Sequence, residues 1–428
     1  MSPALARFVY STLLRLLTPA YFVRLWWRGK SEPAYRRHWG ERLSAGGPRA
    51  APGAVWVHAV SLGETKAAAA LLDALRKVEP AAKLLLTHGT ATGREAGKAL
   101  LQPGDTQVWL PFDTPGAVRR FLQRHRPLVG VLMETETWPN LLHAAQSVGL
   151  PMVLANARLS EKSRLQGERW ARLIEPAVQS LALVLAQTET DAWRLRRAGA
   201  RQVRVCGNIK FDVTPPAKLL ARGLQWRQAL ARPVVLAAST REGEESMLLQ
   251  AWMQLPVPRP LLLIVPRHPQ RFDEVAEIAR GFGLKVRRRS HMGDVPPDDV
   301  ANADVWLGDS LGEMPLYYGV ADVALLGGSF APVGGQNLIE AAACGCPLVM
   351  GPSTFNFSDA AELALAAGAA IRVKDIDAGV AQAVALVSDP ARNDWVRNAF
   401  EFAAAHRGAA NRMVGELLAL LTSRKPRQ

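Results

Sequence analysis

The sequence predicts an α/β protein with two parallel-sheet domains that follow a separate helical segment. Three observations support this prediction. The chain has 428 residues, of which 49% are hydrophobic, and this length is enough for two or three domains. Short β-branched runs alternate with helical stretches, a pattern typical of parallel βαβ units. One linker, at residues 213–232, interrupts the alternation, which then restarts.

The N-terminal segment, residues 1–45, is predicted to associate with a membrane. Residues 4–27 are apolar and rich in aromatics, but Arg7, Arg15 and Arg24 interrupt them. Because a central arginine costs at least about 2.5–3.5 kcal/mol in a bilayer, a helix lying at the interface fits better than a span. Its arginines would reach lipid phosphates. A helix packed on the protein's own core and a single membrane span are the alternatives.

The charge balance points to an anionic partner. The formal net charge is +14, and residues 1–50 carry nine Lys and Arg against two Asp and Glu. Nucleic acid, acidic lipid and phosphorylated small molecules all fit such a charge. Half of the excess charge lies in the apolar N-terminal region, which favours an anionic membrane surface over nucleic acid. Three cysteines are too few for a disulfide framework, and we expect them to be buried.

The first sheet domain is expected at residues 46–212. Helices are expected between its strands, for example at 64–77, 114–125 and 188–198. Its strands are expected at 55–60, 83–87, 107–110, 128–133, 152–155, 182–186 and 203–206.

The second sheet domain is expected at residues 233–390, and residues 391–428 are expected to form C-terminal helices. Its strands are expected near 233–238, 260–265, 304–307, 321–325, 347–350 and 370–373. Both halves are thus Rossmann-like. Ligands bind outside the carboxyl ends of parallel strands, so we expect the active site in a cleft between two facing sheets.

The first motif is VWVHAVSLGETKAAAALL, residues 55–72, where a strand leads into a helix. Glu64 would begin that helix, and the positive end of the helix dipole should keep its carboxylate ionised. An ionised carboxylate is what a general base requires. A glutamate that merely caps the helix is the alternative interpretation.

Two further motifs of the first half carry charged candidates. In VLMETETWPNLL, residues 131–142, Glu134 and Glu136 follow a buried strand, and Glu134 is expected to point into the cleft. A helix-start role is the alternative for Glu134. In GNIKFD, Lys210 follows the last strand of this half, where a lysine can meet a carboxylate or phosphate. Asn156 and Arg158 are weaker candidates for acceptor contacts.

The second half carries motifs suited to a nucleotide. Arg267 ends a buried strand in PRHPQRF and is placed to bind a phosphate. The string GGSFAPVGGQNLIEAAACGCPLVMGP, residues 327–352, is a glycine-rich loop that should enter a helix at about Gly335, and Glu340 could accept ribose hydroxyls. The pair Asp375 and Asp377 resembles a metal motif, but we expect it to start a helix instead.

Taken in order, these strings resemble one family, the 3-deoxy-D-manno-octulosonic acid (Kdo) transferases of lipopolysaccharide assembly. The matching strings are HAVSLGE, METETWPN, NARLSEKS, GNIKFD, PRHPQRF, LGEM, GGSF and GGQNLIEAAACGCPLVMGP. The resemblance implies the GT-B architecture of two Rossmann-like domains facing across a cleft. It also implies transfer of Kdo from CMP-Kdo to a lipid A precursor, lipid IVA, at the cytoplasmic side of the inner membrane of a Gram-negative bacterium.

The resemblance further implies roles for single residues. It makes Glu64 the catalytic base and makes Glu134 and Lys210 stabilisers of the transition state. It implies no cofactor and no metal ion, with CMP-Kdo as the donor substrate. The implied contacts to CMP are Pro266, Arg267, Gly312, Glu313, Met314, Asn337, Leu338, Ile339 and Glu340.

Three other functions fit parts of the sequence. A GT-B lipid glycosyltransferase that uses another sugar nucleotide has the same architecture. A non-catalytic basic module would bind nucleic acid or anionic lipid, but it would not need glutamates at strand ends. A sugar-nucleotide epimerase would not need the membrane segment.

Overall fold

A computed structural model describes residues 2–293 and 302–423 of the chain. The chain divides into two compact units, Met1–Asp212 with Gly408–Gln428 and Val213–Arg407. Each unit contains a seven-stranded sheet, and every pairing between neighbouring strands is parallel. The predicted α/β class with two parallel-sheet domains is therefore confirmed.

The first unit has the strand order β3-β2-β1-β4-β5-β6-β7. The order reverses between β1 and β4, which pair directly. From this point β2 and β3 are added towards one edge of the sheet, and β5, β6 and β7 towards the other. In open α/β sheets such a switch point is where ligands bind. The strands are β1 Val55–His58, β2 Leu84–His88, β3 Thr106–Trp109, β4 Val129–Met133, β5 Met152–Ala157, β6 Leu183–Ala186 and β7 Val203–Val205.

Both faces of this sheet are covered, because successive side chains of each strand enter opposite layers. Trp56, Leu132 and Leu154 pack on one face, whereas Val57 and Met133 pack on the other. The helices are α1 Pro3–Arg28, α2 Trp39–Arg42, α3 Leu62–Val78, α4 Ala91–Lys98, α5 Pro115–His125, α6 Pro139–Ser147, α7 Glu161–Arg169, α8 Ala171–Gln179, α9 Glu189–Arg197 and, from the end of the chain, α18 Ala409–Ser423.

The N-terminal helix α1 buries only part of its surface. Ser2 caps its first turn, and Ala6, Ser11 and Leu25 are buried against the first unit. Among the described helices, none is both long and apolar enough to cross a bilayer. The exposed large apolar residues of α1 are Leu5, Phe8, Val9, Leu13, Leu16, Leu17, Tyr21, Val23, Trp26 and Trp27.

The second unit has the strand order β10-β11-β9-β8-β12-β13-β14, so its switch point lies between β8 and β12. β10 was not predicted, because a three-residue edge strand with two arginines shows no hydrophobic pattern. The strands are β8 Val234–Thr240, β9 Leu261–Pro266, β10 Val286–Arg288, β11 Val305–Leu307, β12 Val323–Leu326, β13 Leu348–Met350 and β14 Ala370–Arg372.

Eight helices are described in the second unit, and the first of them lies in the segment expected to be a linker. α10 packs closely on α13, since a Cβ added at Gly223 would lie 2.3 Å from the Leu316 carbonyl oxygen. The helices are α10 Ala217–Ala229, α11 Glu244–Met253, α12 Phe272–Gly281, α13 Met314–Val320, α14 Leu338–Ala343, α15 Ser358–Ala366, α16 Ile376–Val387 and α17 Arg392–Ala405.

The predicted C-terminal helical region, 391–428, is shared between the units. α17 belongs to the second unit, whereas α18 returns to the first unit and packs on α3. The carboxylate of Asp212 accepts hydrogen bonds from the backbone N–H groups of Gly408, Ala409 and Ala410, which fixes the start of α18. The pattern of α18 could not reveal this return, because an amphipathic helix does not specify the sheet that it covers.

Candidate active site

Three charged residues come together from strand ends of the first unit. Glu64 lies in the first turn of α3, directly after β1, and Glu134 directly follows β4. These two strands are neighbours at the switch point. Lys210 follows β7, and its Nζ lies 3.1 Å from Oε1 of Glu134. The predicted trio therefore includes one ion pair at the ligand-binding edge of the sheet.

The Glu64 carboxylate is held by its own helix cap. Its Oε2 accepts a hydrogen bond from the Val60 backbone N–H at 2.8 Å, and its Oε1 accepts one from the Ser61 hydroxyl at 3.0 Å. The Ser61 hydroxyl in turn accepts from the Glu64 backbone N–H. These contacts resemble a capping box, except that the glutamate accepts from Val60, the residue before the N-cap Ser61. They fit the capping alternative for Glu64, and they also fix the orientation of its carboxylate.

The pKa of Glu64 is raised above its usual value. Burial is the largest cause, and it outweighs the two hydrogen bonds from Val60 and Ser61 that lower the pKa. Burial therefore opposes the effect that was expected from the helix N-terminus on this carboxylate. A higher pKa makes the ionised carboxylate a stronger proton acceptor.

Glu134 has a backbone conformation that side chains rarely adopt. Its φ is 60°, although it is not glycine. Such a conformation costs on the order of 1–3 kcal/mol and is retained where the surrounding structure imposes it. Here the Glu134 N–H donates to Ala155 on β5, and its carbonyl oxygen accepts from Arg158. This geometry turns the side chain towards Lys210.

Glu136 adds a third carboxylate to the cluster. Burial and then the negative charge of Glu64 raise its pKa to about 7. Three carboxylates and one ammonium thus share this edge of the sheet. Because like charges so close together are not all ionised at once, the cluster can hold a proton near neutral pH.

Asn156 is a structural residue instead of a candidate for acceptor contacts. It is fully buried with a φ of 51°, and its Oδ1 accepts a hydrogen bond from the Ile209 N–H at 3.0 Å. It thereby anchors the short turn that carries Lys210. Arg158, the other weak candidate, lines a cavity with Thr135 and Thr137.

In the second unit, the glycine-rich loop lies at the switch point and is fixed by Glu244. This buried carboxylate accepts hydrogen bonds from the backbone N–H groups of Gly328, Phe330 and Ala331, and from that of Arg241. Burial nevertheless raises its pKa. Sequence reasoning missed the segment 239–245, although its Ser-Thr-Arg-Glu-Gly-Glu-Glu composition directly after a strand was an available signal.

Arg267 is exposed at the end of β9, beside other basic residues. Its backbone N–H donates to the Thr240 carbonyl oxygen at 3.0 Å, which ties the ends of β8 and β9 together. Arg241 Nη1 lies 2.9 Å from His268 Nε2. Burial and then these arginines lower the pKa of His268. Arg271, by contrast, is already paired with Glu245 and Glu274.

The segment Gly312–Met314 precedes and begins α13. Gly312 has a φ of 78°, which favours glycine. The Glu313 carboxylate is already engaged, because Arg289 lies 2.9 Å from its Oε1 and Ser310 lies 2.6 Å from its Oε2. Met314 is half-buried, and its Sδ lies 4.0 Å from the Ser239 hydroxyl. A ligand would therefore meet the backbone of this segment more readily than the Glu313 side chain.

The helix after the glycine-rich loop begins later than predicted. α14 starts at Leu338 instead of near Gly335, because Asn337 caps it by accepting from the Ile339 N–H. Leu338 and Ile339 are 0% and 1% exposed, so their side chains belong to the core and offer a ligand only backbone atoms. Glu340 lies in the first turn and is half-buried.

The remaining polar candidates have structural roles. Asp375 caps α16, where its Oδ1 accepts from the Ala378 N–H at 2.8 Å, as the sequence suggested. Within residues 2–293 and 302–423, no group of three or more His, Cys, Asp or Glu side chains is arranged to hold a metal ion. Cys206, Cys344 and Cys346 are buried free cysteines, as expected.

Comparisons with known proteins decide the family. Residues 37–213 match the family model "3-Deoxy-D-manno-octulosonic-acid transferase (kdotransferase)". A 3-deoxy-D-manno-octulosonic acid transferase from Bordetella pertussis is 47% identical over 432 residues, which cover 96% of this chain and 99% of the relative. The chain belongs to this family. The corresponding transferase from Haemophilus influenzae is 32% identical over 95% of this chain and 97% of its own. The protein is therefore a Kdo-transferase-family glycosyltransferase.

A solved structure shares the fold of this transferase. Anabaena Alr3699/HepE in complex with UDP is 15% identical, has a TM-score of 0.55 and covers 86% of this chain and 99% of its own. At this identity the similarity concerns the fold alone. The transferase thus has a two-sheet α/β fold similar to that of GT-B glycosyltransferases, and the predicted family is confirmed.

Proposed function

We propose that this transferase moves Kdo from CMP-Kdo to lipid IVA, a lipid A precursor, at the cytoplasmic side of the inner membrane. The observation that carries this proposal is the fixed carboxylate of Glu64 at the switch point, beside the Glu134–Lys210 ion pair, in a chain 47% identical to a Kdo transferase. The reaction is an inverting displacement that needs no metal ion.

Glu64 acts as the general base. Its carboxylate accepts the proton of an acceptor hydroxyl while that oxygen attacks the anomeric carbon of Kdo. The bond from this carbon to the CMP phosphate oxygen breaks, and CMP leaves as an anion. The hydrogen bonds from the Val60 N–H and the Ser61 hydroxyl hold the base in position, and neither donor is itself an acid. Fixed positioning of this kind is a large part of catalysis.

Glu134 and Lys210 stabilise the transition state. An oxocarbenium-like sugar carries positive charge at its ring, which the negative charge of Glu134 favours. The Lys210 ammonium, 3.1 Å from Glu134, is placed to neutralise the carboxylate of Kdo or the departing phosphate. The strained backbone of Glu134 supports this role, because strain concentrates at functional sites.

The second unit binds the nucleotide. Arg267 is exposed beside the switch point and can contact the CMP phosphate bidentately. Pro266, Gly312, Glu313, Met314 and the segment from Asn337 to Glu340 would provide the remaining contacts. For Leu338 and Ile339 these contacts come from the backbone, since their side chains are buried. The glycine-rich loop that Glu244 fixes would approach the ligand with its backbone.

The helix α1 holds the enzyme at an anionic membrane surface. Its exposed leucines, phenylalanine and tryptophans form an apolar face that is unusually large for a soluble surface. Arg36 lies 4.7 Å from the ring of Trp26, and Lys30 lies 5.4 Å from the ring of Trp27. Tryptophan beside cationic groups is typical of the headgroup level of a bilayer. The helix therefore lies in the interface and brings the enzyme to its lipid acceptor.

A direct transfer assay tests the proposal. Purified protein is incubated with lipid IVA in detergent, with EDTA, and with CMP-Kdo generated in situ because the donor is labile. UDP-sugars replace CMP-Kdo in parallel reactions, and the lipid is followed by mass spectrometry. We expect Kdo-sized mass gains with CMP-Kdo and an unchanged lipid with UDP-sugars. A mass gain only with a UDP-sugar would contradict the donor, and a gain only after Mg²⁺ replaces EDTA would contradict the metal-free step.

A further inference from the structure

A cavity of about 490 Å³ lies between α1, α5 and α6 in the first unit. Three arginines line it: Arg7 and Arg15 come from α1, and Arg119 comes from α5. Its lining contains no Asp or Glu. The cavity therefore concentrates positive charge from two separate helices at one place.

Within the described part of the chain, the three arginines have no ion-pair or hydrogen-bond partner, unlike most other arginines of this unit. Arg94 lies 2.5 Å from Glu41, and Arg76 lies 2.5 Å from Asp105. In contrast, the guanidinium groups of Arg7, Arg15 and Arg119 have no ion pair or hydrogen bond among the described residues. Arg7 is half-buried and Arg15 and Arg119 are exposed, so their donors converge on the cavity and are accessible to a ligand. Their free donors indicate an anionic ligand with several acceptor oxygens, and a phosphate group provides such oxygens.

The rest of the cavity suits a lipid. Phe8, Leu122 and Val148 line it together with the arginines. Phe8 also belongs to the exposed apolar face of α1, which includes Leu5 and Leu16. A ligand with a phosphate and hydrocarbon chains would satisfy both parts, because its phosphate meets the arginines while its chains continue along α1.

The cavity lies apart from the side of α1 that faces the base. Tyr10, Ser11, Asp113 and Asn140 form a chain of hydrogen bonds across this region, with distances of 2.9, 2.9 and 2.6 Å. Tyr10 and Asp113 line a second cavity of about 400 Å³, which also contains Val60, the backbone donor to Glu64. An acceptor that reacts at Glu64 is expected in the second cavity, so the arginine cavity is left for another lipid.

We propose that the cavity of Arg7, Arg15 and Arg119 binds the phosphate headgroup of one anionic membrane phospholipid that is not a substrate. The inference rests on the membrane association in the proposed function, but not on the identity of donor or acceptor. A bound phospholipid would orient α1 in the bilayer. It would also make the interaction of the enzyme with the membrane selective for anionic lipid.

Isothermal titration of the full-length enzyme with monomeric dihexanoyl-phosphatidylglycerol tests the site. We expect saturable binding with one lipid per chain. Replacing Arg7 and Arg119 by glutamine should weaken it at least about 10-fold, because the charge-assisted hydrogen bonds of two guanidinium groups to the phosphate are lost. The matched control is Arg24→Gln with Arg37→Gln, which removes the same charge outside the cavity lining and should change the affinity less than about 2-fold.

Several outcomes would overturn the inference. Equal losses in the cavity variant and the control would show diffuse attraction to a basic surface. Equal binding of dihexanoyl-phosphatidylcholine, or binding of inorganic phosphate as tight as that of dihexanoyl-phosphatidylglycerol, would exclude an anionic phospholipid as the ligand. If the cavity variant raises KM for lipid IVA in detergent free of phospholipid, the cavity takes the acceptor. Because the titration uses neither donor nor acceptor, a failure of the proposed reaction would leave its result unaffected.

Discussion

Replacing Glu244 by alanine should lower the free energy of unfolding of the second unit. The carboxylate accepts four backbone N–H groups, at 2.7 Å from Gly328, 3.1 Å from Phe330, 3.3 Å from Ala331 and 2.8 Å from Arg241. The Gly328 donor is buried, and leaving it without a partner costs about 1–3 kcal/mol, whereas the half-buried donors of Phe330, Ala331 and Arg241 each lose about 0.5–1.5 kcal/mol. Even at the lower limit for every donor, the Glu244→Ala variant should lose about 2.5 kcal/mol of the free energy of unfolding.

Glutamine at position 244 should be tolerated better. Burial raises the pKa of Glu244, so the charge itself is costly in the folded protein. A neutral amide keeps one acceptor oxygen, and we expect a loss of about 1–2 kcal/mol. The control is Glu242→Ala, an exposed position two residues away, with an expected loss below about 0.5 kcal/mol.

Urea unfolding followed by tryptophan fluorescence measures these differences. We expect the order Glu242→Ala, Glu244→Gln, Glu244→Ala from the smallest loss to the largest. A Glu244→Ala variant that stays within about 1 kcal/mol of the wild type would refute the role of this carboxylate in fixing the loop.

Three further predictions concern Lys210, Arg267 and Glu136. Lys210→Gln should lower kcat by about 100-fold or more in the lipid transfer assay, because a group that stabilises the transition state is lost. The circular dichroism spectrum should be retained, and an unchanged kcat would exclude this role. Arg267→Gln should raise KM for CMP-Kdo by about 10-fold or more, whereas Arg271→Gln should mainly lower the melting temperature, since Arg271 is already paired with carboxylates; the opposite pattern would exclude Arg267 as the phosphate ligand. Glu136 has a folded pKa raised to about 7, so its stabilising contribution is present at acidic pH and is lost as the pH rises through about 7. Wild-type stability in urea should thus fall more between pH 6 and pH 8 than that of Glu136→Gln, and parallel pH dependences would contradict the shift.

Hydrophobic patterning located most of the fold. The buried strands β1, β4 and β9 are continuous apolar runs followed by polar residues, and their predicted bounds lie within a few residues of the observed ones. The same reasoning placed Glu64, Glu134 and Lys210 after strands, and the structure brings them to one sheet edge. These successes share a cause, since the carboxyl ends of parallel strands meet at one edge whatever the details of packing.

The rest depended on contacts that no local pattern encodes. Glu244 is the second acidic residue after the end of β8, yet three of its four partners lie more than 80 positions away in the chain. The pKa of Glu64 rises because of burial, which the helix position alone does not reveal. α18 returns to the first unit, where Asp212 contacts Gly408, a residue 196 positions later in the chain. Sequence periodicity reports the face that a helix buries but not the element that it meets.

A single-turnover comparison of the wild type with Glu64→Gln tests the central claim most directly. Enzyme in excess over CMP-Kdo is mixed with lipid IVA, and the Kdo-bearing lipid is quantified over time by mass spectrometry. Glutamine can keep the hydrogen bond from Val60 but cannot accept the proton, so the rate should fall by at least about 100-fold while the melting temperature changes little. A Glu64→Gln variant that transfers Kdo within a few-fold of the wild-type rate would show that another group takes the proton.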